Sequence, residues 1–495
     1  MPTLRRIAID PVTRVEGHGK VTLLVDEHDR VQQARLHVVE FRGFERFIQG
    51  RPYWEVPVVV QRLCGICPVS HHLAASKALD AVVGAPDVTP TADRVRRLMH
   101  YGQVLQSHAL HFFHLASPDL LFGADAEPER LSLLGVAAEH PGIARQGIAL
   151  RRFGQEIIEA TAGKRVHGTA SVPGGVNAAV REDVAARLRL EAPVMRAHAE
   201  QAVAIAARLH RAHAARFDTF AAMQSPLMSL VRPDGTLDLY DGRLRVRGAD
   251  GSLLVPDVPA DTFDDLIVEE VRSWSYVKFP YLRALGPTAG WYRVGPLARL
   301  RACDRLDTPR AEAARQEFLA HGGGAPVEGS LAYHWARMVE LLHCAEVVGR
   351  LLDDPALCAG PLTAGDPALA RRAANGEREG YGVIEAPRGT LMHHYRVDDN
   401  DLVTHCRLIV STTHNNQAMN EAIAVVARER LDGHVITDAL LNEVEVAIRA
   451  FDPCLSCATH AMGAMPLAIT VVGPDGVPRD QAWRDAGGTL RRGTT

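Results

Sequence analysis

The chain of 495 residues carries no excess of positive charge: its formal net charge is −4 and its isoelectric point is near 6.6. Nothing electrostatic therefore points to nucleic acid or an anionic membrane as partner. No apolar run approaches transmembrane length, so direct membrane insertion is not expected. The first ten residues have two arginines but lack the apolar stretch of a secretory signal. A cytoplasmic location is expected on that ground, although a chain exported as a folded complex needs no signal of its own. Ferredoxin-type cysteine clusters are missing, and so is a G-x-G-x-x-G after a strand; Gly17-His-Gly19 lacks the third glycine and the helix. Internal repeats and low-complexity segments are also absent. Eight cysteines are too few for a disulfide framework in a chain this long and fit a reducing compartment.

Four of those cysteines are arranged. Cys64 and Cys67 stand in Arg62-Leu-Cys-Gly-Ile-Cys-Pro-Val-Ser-His71, and Cys454 and Cys457 in Asp452-Pro-Cys-Leu-Ser-Cys-Ala-Thr-His460. Two such pairs near opposite ends make a divided four-thiolate metal site, unlike a local zinc knuckle. Thiolates suit zinc, an iron–sulfur cluster or nickel, and ligand identity does not choose among them. A structural zinc needs no further charge beside it. Both motifs nevertheless bring ionisable neighbours, Arg62 and His71 on one side and Asp452 and His460 on the other, which favours a reactive metal.

With 47% hydrophobic and 23% charged residues the chain can bury a large core. Length alone predicts two or three domains, but the divided site argues for one interlocked unit over 1–460. Period-two patterning predicts an N-terminal sheet over about 5–41 and a small, peripheral sheet inserted at about 235–257. Helical periodicity predicts helices over roughly 70–83, 90–116, 147–162, 178–215, 308–321, 329–353, 413–430 and 436–450. The expected class is mainly α with small β elements, a long-helix bundle. After His460 the composition changes: 467–472 reads as a strand followed by a turn and a polar, Arg- and Gly-rich end.

Arg-x-Cys-Gly-x-Cys-x-x-x-His and Asp-Pro-Cys-x-x-Cys-x-x-His together resemble the two signatures of nickel–iron hydrogenase large subunits. Three further stretches fall in the family's order: Asp10-Pro-Val-Thr-Arg-Val-Glu-Gly-His18, Phe41-Arg-Gly-Phe-Glu45 and Glu385-Ala-Pro-Arg-Gly389. Gln106–His114, Gly163–Gly168 with Pro173-Gly-Gly175, and Thr412–Asn416 are most similar to the cytosolic NAD-reducing type. The resemblance implies that Cys64 and Cys454 are terminal nickel ligands. Cys67 and Cys457 would bridge nickel to an iron carrying carbon monoxide and cyanide, in a pocket of Pro387, Arg388 and Thr412. It also implies a second metal, magnesium or iron, on Glu45, His460 and the carbonyl of Leu408.

Heterolytic cleavage of dihydrogen needs a Lewis acid for the hydride and a base for the proton. The resemblance gives the base role to Cys454 and the next proton to Glu16, with Arg388 polarising the substrate or holding the base. His71 is expected to hydrogen-bond a cysteine sulfur. His108, His111, His114, His393 and His394 receive no role, and Cys303, Cys344, Cys358 and Cys406 read as small buried hydrophobes. Ser107-His108 stands where many membrane-associated relatives have Asp-His, and Ser411 where proline is common.

Electrons must then leave through partners: a small subunit with iron–sulfur clusters and a flavin (FMN) module handling NAD. Family resemblance further implies that nickel-insertion proteins load the site and a protease cuts between His460 and Ala461, removing 461–495, which would otherwise hold His460 outward. Coupling to NADP, a deazaflavin or a disulfide-reducing partner would use the same site. A hydrogen sensor is a further alternative, though sensors generally lack the tail. A metal-free scaffold like the related subunit of respiratory complex I conflicts with the four cysteines.

Overall fold

The computed structural model describes residues 4–127, 129–323, 326–374, 376–434, 437–460, 467–472, 478–484 and 490–493. Strands Arg5–Ile9, Gly19–Val25 and Val31–Val38 form an antiparallel sheet in chain order. Alternate residues Val21, Leu23 and Val25 are buried, as a one-sided sheet requires. This sheet packs against the Asn416–Leu431 helix near the other end of the chain.

The body is a bundle in which Ala332–Leu352 packs on Pro90–Leu110 and Glu182–Ala212, and Pro141–Ala162 packs on both of those. Thr89 caps the Pro90 helix by accepting from the Ala92 amide at 3.2 Å, with proline in the first turn. The Pro141 helix stops at Gly163 in a left-handed conformation. Helix Ala332–Leu352 is buried along most of its length, which makes it the spine of the bundle. The expected helix over 90–116 changes character on the way: His111–Ala116 widens into a π turn before Ser117–Phe122. Pro118 has no amide hydrogen and crowds the carbonyl four residues back, so the ladder rewinds there.

Two sheets differ from expectation. The inserted one consists of Leu227–Val231, Arg243–Arg247 and Leu253–Pro259. Its first strand begins earlier than the patterning predicted because all five residues are buried and nothing alternates. It is also not peripheral, since the Leu230 amide donates to Glu385 Oε1 at 2.8 Å. A second antiparallel sheet, Arg378–Ala386, Gly389–Val397 and Val403–Ile409, packs on the Pro68–Val82 helix. The sequence showed only its turn, at Pro387 and Arg388.

Past His460, strands Leu467–Val472, Pro478–Arg484 and Leu490–Gly493 pair with one another. The first was expected and the other two were not. Ala461 lies outside the described residues. Among the described residues no helix is long and apolar enough to cross a membrane.

Candidate metal centre

Each cysteine pair sits where a chain turn hands over to a helix. Cys64 is extended at the end of the Val60–Leu63 turn, and Cys67 caps Pro68–Val82. The amides of Ile66 and Cys67 donate to Cys64 Sγ at 3.1 and 3.2 Å. Cys454 caps the short Leu455–Ala458 helix, and its amide donates to Thr412 Oγ1 at 2.9 Å. The four sulfurs lie within 4.8 Å of one another. Cys64–Cys454 is 3.1 Å, Cys67–Cys457 3.5 Å and Cys454–Cys457 3.0 Å, sulfur to sulfur, and all four are free thiols. Sulfurs held about 2.3 Å from one tetrahedral metal lie about 3.8 Å apart, within the span of this cluster.

Burial pushes Cys454 and Cys457 well above the ordinary thiol range. Cys64 is pulled well below it by hydrogen bonds from Cys454, Cys457 and Cys67, with the Arg388 charge adding to them. A buried tetrad of this kind takes up four thiolates only beside a cation.

A small cavity against the sulfurs is lined by Cys67, Cys454 and Cys457 together with Pro387, Arg388 and Thr412. Its donors suit anionic acceptors. Arg388 Nε is buried and has no partner, while Thr412 Oγ1 already accepts from Cys454, which leaves its own hydrogen to donate. The rest of the guanidinium is fixed: Nη1 donates to Ser107 Oγ at 3.2 Å and Nη2 to Asp452 Oδ1 at 3.0 Å. Burial opposes the Arg388 charge, but Asp452 and the cysteines outweigh it and raise its pKa. Asp452 thus supplies the carboxylate for this arginine, with Ser107 contributing only a hydroxyl. Ser411 Oγ ties down the same hairpin through the Gly389 carbonyl at 2.8 Å. Gly389 has φ +140° and a Cβ there would meet Val294 Cγ2 at 2.1 Å, so the turn admits no side chain.

Glu16 reaches the site through backbone as well as side chain. Its carbonyl accepts from Leu455 at 2.9 Å, and Oε2 lies 2.9 Å from Cys454 Sγ and 3.1 Å from the Ser456 amide. Gly17 makes this approach possible: at φ +83° its missing Cβ would stand 2.7 Å from the Ser456 nitrogen. Beyond Glu16 a polar trail leads outward. Ser456 Oγ donates to Glu40 Oε2 at 3.3 Å, and Glu40 Oε1 lies 2.5 Å from Nδ1 of the exposed His18.

The expected second-metal residues also converge. The Leu408 amide donates to Glu45 Oε1 at 2.8 Å; His460 Nε2 is 2.5 Å from the Leu408 carbonyl oxygen and 3.8 Å from Glu45 Oε1. Carboxylate, imidazole and carbonyl donors fit magnesium or iron. One expectation is corrected here. His460 is 1% exposed and points inward in a chain that still carries 461–495, so the extension does not hold it out. The Cys457 carbonyl 3.1 Å from its Nδ1 fixes the ring.

Histidines left without a role divide. His71 lines the cysteine cavity, and its Nδ1 lies 3.2 Å from His393 Nε2, whose ring continues to the Tyr395 hydroxyl at 2.7 Å. The hydrogen bond recorded for His71 Nδ1 is to His393, while the ring lines the cavity beside the cysteines. His111 Nδ1 stands 3.0 Å from Asp452, and His108 Nε2 is 2.7 Å from Glu340. His394 turns away toward Glu379 and Asp264.

Sequence reasoning missed Arg299 and Glu340. Arg299 is fully buried, pairs with Glu340 at 2.5 Å and Glu385 at 2.8 Å, and donates to the carbonyls of Ala386 and Pro387 at 3.0 and 3.3 Å. It pins the turn that carries Arg388 over the sulfurs. Burial works against Glu340, yet Arg299 and His108 bring its pKa down to about 2. Arg299→Leu removes the guanidinium shared by two buried glutamates, leaving His108 on Glu340 and the Leu230 amide and Thr390 hydroxyl on Glu385, at a cost of about 3–5 kcal/mol. The expected result is a lower unfolding temperature and reduced metal incorporation; a variant as stable and as metal-rich as the parent would contradict this role.

Residues 42–126 and 259–460 match the family described as nickel-dependent hydrogenase, and 6–41 match one described as HoxL-like. The beta subunit of the NAD-reducing hydrogenase HoxS from Cupriavidus necator is 46% identical over 481 residues, covering 94% of this chain and 97% of that one. The F420-non-reducing hydrogenase of Methanothermobacter marburgensis has a subunit 39% identical over 474 residues, with 94% and 97% covered. Among solved structures, an NAD+-reducing [NiFe]-hydrogenase in the H2-reduced state aligns with a TM-score of 0.89 and 58% identity, over 93% of this chain and 100% of that one. With the cysteine tetrad, the pinned hairpin and the Glu16 contact all falling inside the matched residues, the chain belongs to the nickel-dependent hydrogenase family.

Proposed function

We propose that this chain is the dihydrogen-activating component of a cytoplasmic nickel–iron hydrogenase that passes electrons to NAD through partner subunits. The observation that carries this is the buried tetrad of Cys64, Cys67, Cys454 and Cys457, with the Glu16 carboxylate 2.9 Å from one sulfur. Cys64, Cys67, Cys454 and Cys457 would hold the nickel, with Cys67 and Cys457 shared with the iron. The cavity touches both Cys67 and Cys457, as a site for the iron beside them requires, and Cys454 as well. Carbon monoxide and cyanide on the iron fit its chemistry: Pro387 is the apolar wall, and Arg388 and Thr412 have hydrogens to donate. Glu45, His460 and the Leu408 carbonyl would hold magnesium or a second iron.

When bound, the metals supply a Lewis-acidic, redox-active centre that polarises dihydrogen. Cys454 Sγ takes the proton, and Glu16 receives it across the 2.9 Å contact. Beyond it the Ser456 hydroxyl, Glu40 and the exposed His18 lie within 3.3 Å of one another in turn toward solvent, while Glu16 itself meets Ser456 at the backbone amide. Arg388 keeps its charge at the cavity by pairing with Asp452, where it would polarise the substrate or hold the base in place.

Without a nucleotide motif or an electron relay of its own, the chain depends on two partners, a small subunit with iron–sulfur clusters and a module carrying flavin (FMN) and NAD. The similarity to NAD-reducing enzymes supports this pairing. Nickel-insertion proteins and a protease acting after His460 complete the set. The test is hydrogen-dependent reduction by the co-purified complex: NAD reduced in preference to NADP, a deazaflavin or a disulfide acceptor is expected, and preference for another acceptor would overturn the coupling alone. Glu40→Gln is expected to slow turnover several-fold, less than the ~10²–10⁴ of a group that acts at the reacting atoms because Glu40 lies farther out, with metal content unchanged. An unaffected rate removes Glu40 from the route.

A further inference from the structure

The Glu182–Ala212 and Pro309–Ala320 helices end beside each other, and a second cluster of metal-binding side chains lies where they meet. His210 is in the last turn of the first helix and His321 directly follows the second. Asp218 follows the short Ala214–Phe217 helix that leads away from the first. His210 Nε2 is 2.7 Å from Asp218 Oδ1; His321 Nε2 is 3.1 Å from the same oxygen and 3.2 Å from Oδ2. All three donor atoms fall within 4.8 Å of one another. We propose that His210, Asp218 and His321 form a binding site for a divalent transition ion of the zinc class, separate from the cysteine centre.

The donor set fits such an ion. Two imidazoles and one carboxylate are borderline ligands that hold zinc, nickel or cobalt and leave one position for water. Ligands about 2.0–2.1 Å from a tetrahedral metal lie about 3.3 Å apart. To reach that spacing Asp218 would open by about 0.6 Å from His210 and about 0.2 Å from His321. His210 is kept neutral by burial, which pushes its pKa below the ordinary histidine value, so its nitrogen is a ligand and not a competing cation.

The surroundings favour a cation as well. The carbonyl ends of two helices of at least three turns each point at the site, and helix C-termini attract positive charge. The nearby arginines are engaged elsewhere, Arg211 with Glu317 and over the Trp335 ring, and Arg216 with Glu443. Trp335 packs 5.4 Å from both imidazoles and Phe217 5.4 Å from His210, centroid to centroid. These rings fix the histidines before an ion arrives. The Asp218 side chain is 36% exposed, which gives an entry path and room for a water ligand. An ion here would clamp both helix ends onto the start of the Ala332–Leu352 spine, the helix that also carries Glu340.

The experiment uses the assembled complex with its nickel–iron centre already loaded. It is dialysed against a chelator, then titrated with zinc chloride and examined by zinc X-ray absorption. One additional zinc per chain with nitrogen and oxygen neighbours is expected. His321→Ala and Asp218→Asn should each weaken binding at least about tenfold, the loss typical of removing even an outer partner of a metal ligand, while both retain hydrogen oxidation. Zinc that is not retained, zinc surrounded by sulfur, or binding unchanged in both variants would overturn the proposal and leave a hydrogen-bonded triad.

Discussion

Replacing Cys457 by serine is expected to abolish metal incorporation, and with it all hydrogen oxidation. The sulfur lies 3.5 Å from Cys67 and 3.0 Å from Cys454, at the wall of the cavity proposed for the iron. A hydroxyl at this position is a hard, protonated donor. It cannot join two soft metals as a bridging thiolate does, and removing one of four anionic ligands also removes charge that the buried ions need. Nickel and iron measured on the purified variant should fall to background, in a chain that still folds because Cys457 otherwise makes only apolar and weak sulfur contacts. If the proposed maturation step depends on metal loading, the 461–495 extension should persist too, which the mass of the purified chain reads directly. A variant carrying nickel and iron at parent levels would contradict the bridging role.

Glu16→Gln tests the proton route and not the metals. The amide keeps the shape of the carboxylate and can still accept from the Ser456 amide, now 3.1 Å away. It cannot take up and release a proton at neutral pH. Nickel content should stay at the parent level while turnover falls by about 10²–10⁴, the usual contribution of a positioned acid–base group. The position is unusually well supported for a half-buried glutamate: Leu455 is hydrogen-bonded to its carbonyl at 2.9 Å, and Gly17 lets the two segments close up. Exchange of dideuterium with water protons separates the causes, because it requires proton release from the site without any electron acceptor. Exchange lost together with turnover fits the relay. Activity within twofold of the parent excludes Glu16 from the route.

What the sequence could reveal depended on how local the signal was. Cys64 and Cys67 lie three residues apart, as do Cys454 and Cys457, so each pair announces itself, and the amphipathic periods of Pro141–Ala162 and Ala332–Leu352 showed the bundle. The Arg378–Ile409 sheet was hidden because its strands are buried on both faces and lose the alternation that marks a one-sided strand. Arg299 was hidden for another reason. Its partners Glu340 and Glu385 are 41 and 86 residues away, and no short motif records a pairing made only by the folded chain. The π turn at His111–Ala116 follows from Pro118 only once the helix is known to continue past it. The orientation of His460 was misjudged because it depends on Leu408 and Glu45, which reach it from other parts of the fold.

The most direct test of the account combines metal analysis with infrared spectroscopy on the complex purified without oxygen from a host that supplies nickel and the full maturation machinery. The account predicts one nickel per copy of this chain, with absorption bands of iron-bound carbon monoxide and cyanide. A single zinc held by Cys64, Cys67, Cys454 and Cys457, with no such bands, would contradict it and reduce the tetrad to a structural clasp between the two ends of the chain.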